Sequence, residues 1–227
     1  SQDGAAASGG ERIAALYGSA LASLELRENA RAMTAIDAAL AAARASAATP
    51  PAAWRTLVLA QAQVQLAAGQ PQRALAAIDA LAAQDRPGLA RQRPLLIARA
   101  QAALAAARDS APEPAALRAS TEALQTWVAE HAQDALAWSV LAQCAEQQGL
   151  KLRSLRAQAE AQAAGGDLGG AIDRLRAAQR EARTAAPDFI EASIIDARLR
   201  DLLARRRAQV AELRGTRGDS EPPRLAP

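Results

Sequence analysis

The sequence predicts an all-α protein, a solenoid of about ten helices stacked as antiparallel pairs. Three observations predict it. Alanine fills 66 of the 227 positions, and Leu, Arg, Gln and Glu make up much of the rest. These are the strongest helix formers, since they lose little rotamer freedom on a helix. Val (five), Ile (eight) and Thr (seven) are scarce and aromatic residues make up 2%, so a sheet protein is excluded on composition. Finally, helix-period apolar patterns alternate with short Gly or Pro breaks along nearly the whole chain, the spacing expected of stacked helix hairpins.

The elements follow in order. Residues 1–10 are small and polar and read as a flexible lead-in. The first helix is expected over 11–26. The second spans 28–46, with Ile36 and Leu40 on one face. Pro50-Pro51 separates it from a third helix over 51–68, because Pro suits a first helical turn. Gly69 stops that helix. The fourth covers 71–84 and carries Leu75, Ile78 and Leu81. The fifth covers 88–108, with Pro94 either in its first turn or kinking it. The sixth covers 112–130. Asp134 is a fitting N-cap for the seventh, which ends at Gly149. The eighth covers 150–164 and closes at Gly165-Gly166. Asp167 opens the ninth, which runs to about 185, and Pro187 breaks it. The tenth covers 189–213 and serves as a capping helix. Residues 215–227 are rich in Gly, Pro and polar groups and read as a disordered tail. The helical array therefore fills 11–214.

The helices repeat loosely. Gly69-x4-Ala74-x3-Ile78-x2-Leu81 recurs as Gly166-x4-Ala171-x3-Leu175-x2-Ala178. Trp138-x2-Leu141-Ala142-x2-Ala145-x3-Gly149 gives the matching first-helix pattern. Two helices cross closely only where both carry a small residue; larger residues three and four away fill the groove beside the crossing. The glycine supplies a left-handed C-cap at the turn. With Gly69 as the turn, Ala62 takes the small position of its first helix. This is the pattern of a tetratricopeptide repeat (TPR), and the fold class is a TPR-like solenoid. Alanine buries little area. The large residues Trp54, Leu57, Trp127, Trp138, Leu141, Leu155, Ile172 and Leu175 are therefore expected to carry the core.

The stretch Arg156-Ala-Gln-Ala-Glu160, then Gly166-Asp-Leu, Ala171-Ile172-x2-Leu175 and Ile195-Asp-Ala-Arg198-Leu199, resembles a known family. It is similar to the C-terminal TPR region of periplasmic zinc metallopeptidases of the β-barrel-assembly-enhancing protease type. Tyr17-Gly18-Ser-Ala20-Leu21 resembles the first helix of that region. The resemblance implies a periplasmic location and a role in recruiting protein segments, such as outer-membrane proteins or their assembly machinery. The family's protease domain carries His-Glu-x-x-His, with zinc on the two histidines. Here His131 is the single histidine and is followed by Ala132-Gln133. This chain is therefore expected to be non-enzymatic and without cofactor, zinc belonging only to an upstream protease domain.

Other chemistry reads as structure. His131 stands at a helix end, where a capping or dipole role is expected. Cys144 lies on an apolar helix face and is expected to be a small buried residue. Gly165-Gly-Asp-Leu-Gly-Gly170 lacks the Lys-Ser/Thr of a phosphate loop and sits between helices. Asp188, Glu191, Asp196 and Asp201 alternate with arginines and read as a solvated face. The net charge is +3, and residues 173–214 hold all of it, with ten Arg and seven acidic residues. Neither nucleic-acid binding nor membrane insertion is expected: no aromatics interleave the arginines, and no apolar run of spanning length occurs.

The repeat register turns Gln63, Gln143, Glu146, Arg153, Arg156 and Glu160 toward a groove lined by first helices, making them the candidate partner contacts. A carboxylate clamp built on Lys and Asn is disfavoured, since Lys151 and Asn29 are the only two. Arg153 and Arg156 can still grip a carboxylate. Two other roles fit the same residues: a regulatory domain packed on the protease cleft, and a free-standing adaptor that binds an acidic partner through the Arg-rich C-terminal helices.

Overall fold

The computed structural model describes residues 2–84, 91–108, 115–183 and 188–218. Among the described residues there are ten helices and no strand. They are α1 (Gln2–Glu25), α2 (Asn29–Ala45), α3 (Pro51–Ala67), α4 (Pro71–Ala82), α5 (Arg93–Ala107), α6 (Ala115–Glu130), α7 (Ala135–Gln147), α8 (Lys151–Ala164), α9 (Leu168–Ala182) and α10 (Phe189–Gly218). The chain divides into two compact units, Ser1–Leu124 and Gln125–Pro227.

In the first unit each helix from α1 to α5 packs on the next, and α3 also touches α1 and α5. In the second, α7 packs on α8, α8 on α9 and α9 on α10, with α10 also reaching α8. Consecutive packing of this kind is how a helical array buries apolar faces that no single hairpin can bury alone. Ala62, the expected small position of its hairpin, is buried. Ala62 (α3), Ala74 and Ile78 (α4) and Ala102 (α5) form one buried cluster. Arg99 of α5 ties this region together, donating from Nε to Asp79 of α4 at 2.7 Å and from a terminal nitrogen to Ser120 of α6 at 3.0 Å. In the second unit Leu155, Ala159, Ala171, Ile172, Leu175, Ile195 and Leu202 form the core.

Three of the hairpin turns share one glycine geometry. Gly69, Gly149 and Gly166 have φ of 71°, 71° and 89°. In each turn the next residue donates its N–H back five residues, Gln70 to Gln65, Leu150 to Ala145 and Asp167 to Gln162, at 2.8–2.9 Å. The glycine donates three residues back, to Leu66, Glu146 and Ala163. These paired bonds are a Schellman motif, which satisfies helix carbonyls that would otherwise lack donors. The α1–α2 turn makes the same bonds, Glu28 to Ser23 and Arg27 to Leu24, with Arg27 at φ 59°. The sequence carries no glycine there to mark it.

Several boundaries differ from the sequence reading. α1 begins at Gln2, ahead of the expected start at Glu11. Ala5, Ala6 and Ala7 are the best helix formers and carry the helix through Gly9 and Gly10. α10 continues past Leu213 to Gly218, so the expected tail begins as helix. The remainder of that tail, 219–227, lies outside the described residues, as do the expected breaks at Gly88, Pro112 and Pro187. Pro94 stands in the first turn of α5 and does not kink it. Of the eight large residues expected in the core, Leu57, Trp138, Leu141, Leu155, Ile172 and Leu175 are buried. Trp54 and Trp127 are half-buried. Trp54 lies beneath the Arg44 guanidinium, 5.3 Å from its ring centroid.

Candidate partner-binding cleft

The second unit builds a cleft of about 400 Å³ from three helices. α7 enters under tight local control. Asp134 caps it, accepting from the Ala137 N–H at 3.1 Å. The other carboxylate oxygen of Asp134 accepts from the Trp127 indole at 2.9 Å. His131 stacks on Trp127 with ring centroids 3.7 Å apart, and its Nδ1 lies 3.0 Å from the Trp127 carbonyl. Trp138 donates its indole N–H to Ala132 at 3.0 Å. Two indoles whose N–H groups have partners thus brace the α6–α7 turn.

Trp138, Leu141, Cys144 and Ala145 bury one side of α7. The opposite stripe, Ser139, Gln143 and Glu146, recurs at i, i+4 and i+7 and lines the cleft. Gln158, Ala161 and Gln162 of α8 form the facing wall, and Arg174 of α9 closes one rim. At the other rim Lys151 donates to Glu146 at 2.8 Å. That hydrogen bond holds the Glu146 carboxyl below its ordinary range, and a second one from the buried Ser154 hydroxyl acts in the same direction. The Ser154 oxygen in turn accepts from Gln158 Nε2 at 3.1 Å. The Gln162 Oε1 atom is buried without a hydrogen-bond partner in the cleft wall. A buried acceptor left open costs about 1–3 kcal/mol, which a donor entering the cleft would offset.

The six sequence candidates divide. Gln143 and Glu146 are exposed and line the cleft. Gln63 is exposed on α3, in the first unit, and the second unit makes the cleft without it. Arg153, Arg156 and Glu160 are engaged by α10. Arg156 ion-pairs with Glu191, and Arg153 lies 3.8 Å from the same carboxylate. The Arg156 guanidinium also sits 5.9 Å from the Trp138 ring centroid. Glu160 accepts two parallel bonds from Arg198, at 2.7 and 2.8 Å, and these raise the Arg198 pKa. The carboxylate that Arg153 and Arg156 grip is therefore an internal one. Glu191, read from the sequence as part of a solvated face, is only 4% exposed. Its burial follows from α10 packing back on α8 and α9.

Gln158, Gln162 and Arg174 escaped the sequence reading. Gln158 and Gln162 share one face of α8 by their four-residue spacing, a signal present in the sequence but common in a Gln-rich chain. Cys144 is fully buried. Among the described residues no three His, Cys, Asp or Glu side chains cluster to hold a metal. Among them, too, no helix is long and apolar enough to cross a membrane. No family model matches the chain. No curated protein matches it either.

Proposed function

We propose that the chain is a protein-interaction scaffold of TPR type, whose α7–α8–α9 cleft takes an extended peptide segment. The observation that carries this reading is the polar lining of the cleft. Gln143, Gln158 and Gln162 offer carboxamides, which both donate and accept, as peptide backbone does. Arg174 and Glu146 place opposite charges at separate rims, which would orient a segment bearing side-chain charges. The left-handed glycine turns and the burial of Ala62 and Ala74 in one cluster support the repeat assignment.

Following the resemblance in the sequence, the scaffold is proposed to be the substrate-recruiting half of a periplasmic zinc metallopeptidase acting on outer-membrane proteins. Tethering to a protease raises the effective concentration of a captured segment, so weak cleft affinity suffices. Two measurements test the proposal. The coding sequence upstream of Ser1 should encode a signal peptide and His-Glu-x-x-His; a start codon immediately before Ser1 overturns the protease assignment. A tiled array of outer-membrane β-barrel peptides should show a bound subset that is lost with Gln158→Ala plus Arg174→Ala. Binding unchanged in that double variant removes the cleft from the mechanism.

A further inference from the structure

α10 carries two apolar stripes. Ile195, Leu199 and Leu202 form the first and are buried in the core of the second unit. The second stripe is Ile190, Ile194, Ala197, Asp201, Ala204, Ala208 and Ala211. Its spacing alternates four and three without interruption, the seam period of a two-helix coiled coil. Every position of it is exposed, Ile190 at 77% and Ile194 at 43%, with Phe189 beside them at 78%. Large apolar side chains grouped this way on a helix face mark a contact surface more often than scattered ones do. The small residues along the rest of the seam let a second helix approach closely.

The flanks of the seam decide what approaches. Arg200 and Arg207 precede seam residues on one side, and Arg205 and Glu212 follow on the other, all exposed, so arginine outnumbers acid three to one on these flanks. Asp201, the one acid in the seam, is ion-paired with Arg198. A second copy of this chain fits poorly. Antiparallel self-pairing sets Arg198 and Arg200 each against its own symmetry mate, or, in the register one heptad along, Arg200 against Arg207 and Arg198 against Arg205. Parallel pairing brings Arg200 against Arg205, which the Arg207–Glu212 pair of the next heptad only offsets. Like charges across a helix pair are destabilising. We infer that the outer face of α10 docks an acidic amphipathic helix of a partner protein. That helix would carry a matching apolar four-three seam with Glu or Asp on its flanks. This surface is separate from the α7–α9 cleft, and the inference stands without that reading.

The test uses the full chain and two fluorescently labelled designed peptides as long as the seam. Both carry Leu and Ala at the seam positions; one has Glu and the other Lys on the flanks. Anisotropy should show the Glu peptide bound at least about tenfold more tightly than the Lys peptide. Its affinity should fall as salt rises. Ile190→Glu with Ile194→Glu should weaken it at least about tenfold, while far-UV circular dichroism and Tm stay unchanged because both side chains are exposed. Arg205→Gln with Arg207→Gln should weaken the Glu peptide and spare the Lys peptide. Gln158→Ala with Arg174→Ala should leave both unchanged. Equal binding of the two peptides, or binding of neither, overturns the inference. So does a sedimentation dimer abolished by the Ile variants, which would make the face a homotypic interface. Tighter binding to phosphatidylserine vesicles than to the Glu peptide would make it a membrane contact and overturn the inference equally.

Discussion

Replacing Arg27 with glycine should stabilise the protein. Arg27 holds φ at 59° in the α1–α2 turn, where the three equivalent turns place Gly69, Gly149 and Gly166. The left-handed region costs an L-residue about 1–2 kcal/mol, because its Cβ crowds the following carbonyl oxygen. Glycine escapes that crowding but brings extra unfolded-state entropy, worth about 0.5–1 kcal/mol. The net gain should be about 0.5–1 kcal/mol, and Tm should rise by about 1–4 °C for a domain of this size. The Arg27 side chain is exposed, so little packing is lost. Arg27→Ala is the control: it removes the side chain, keeps the backbone demand and should move Tm by under about 1 °C. The converse substitution is Gly149→Ala. A Cβ there meets nothing within 4 Å, so its cost of about 1 kcal/mol comes from backbone alone. Thermal melts followed by circular dichroism read all three. A lower Tm for Arg27→Gly, or an unchanged one for Gly149→Ala, would refute the account of the turns.

Three further outcomes follow from the second unit. Glu191→Gln removes the charge that Arg156 and Arg153 share in a buried position, and urea midpoints should report a loss of about 1.5–3 kcal/mol; a loss under about 0.5 kcal/mol would show that the arginines repartner. Gly169→Ala and Gly170→Ala both gain helix propensity, yet a Cβ at Gly170 collides with the Asp167 carboxylate that caps α9, while one at Gly169 makes ordinary contact. Gly170→Ala should therefore be the less stable of the two by about 1 kcal/mol, and equal stability would discount the cap. Because Glu146 has a lowered folded pKa, its interaction stabilises the protein above the unfolded carboxyl pKa and fades as pH falls through the folded value. Carboxyl NMR should show its titration moving upward in Lys151→Met, and an unmoved curve would assign the lowering to Ser154 alone.

What was legible in the sequence follows the range of the interactions involved. The helical class and the turns at Gly69, Gly149 and Gly166 come from local preferences: alanine favours helix everywhere, and only glycine takes the left-handed position without strain. The caps at Asp134 and Asp167 are local as well, each spanning three residues. Arg27 was hidden for the complementary reason. A turn can impose a left-handed φ on an arginine when the four hydrogen-bonding groups it satisfies outweigh the strain, and nothing in the side chain announces that.

The cleft shows the same divide. Gln143 and Glu146 were readable because they lie opposite Trp138 and Leu141 on one helix, and periodicity assigns the two faces of a helix from its own residues. Periodicity gave Arg153, Arg156 and Glu160 an outward face equally well, but it carries no information about a helix returning from far along the chain. Glu191 lies 35 residues beyond Arg156, and Arg198 lies 38 beyond Glu160. Both pairs form because α10 folds back on α8 and presents opposite charges one helical turn or two apart. The same folding back explains why α10 has two different apolar stripes. The one that meets α8 and α9 is rich in Leu and Ile and anchors the pairs, so the arginines left on the other side remain available for contacts outside the unit.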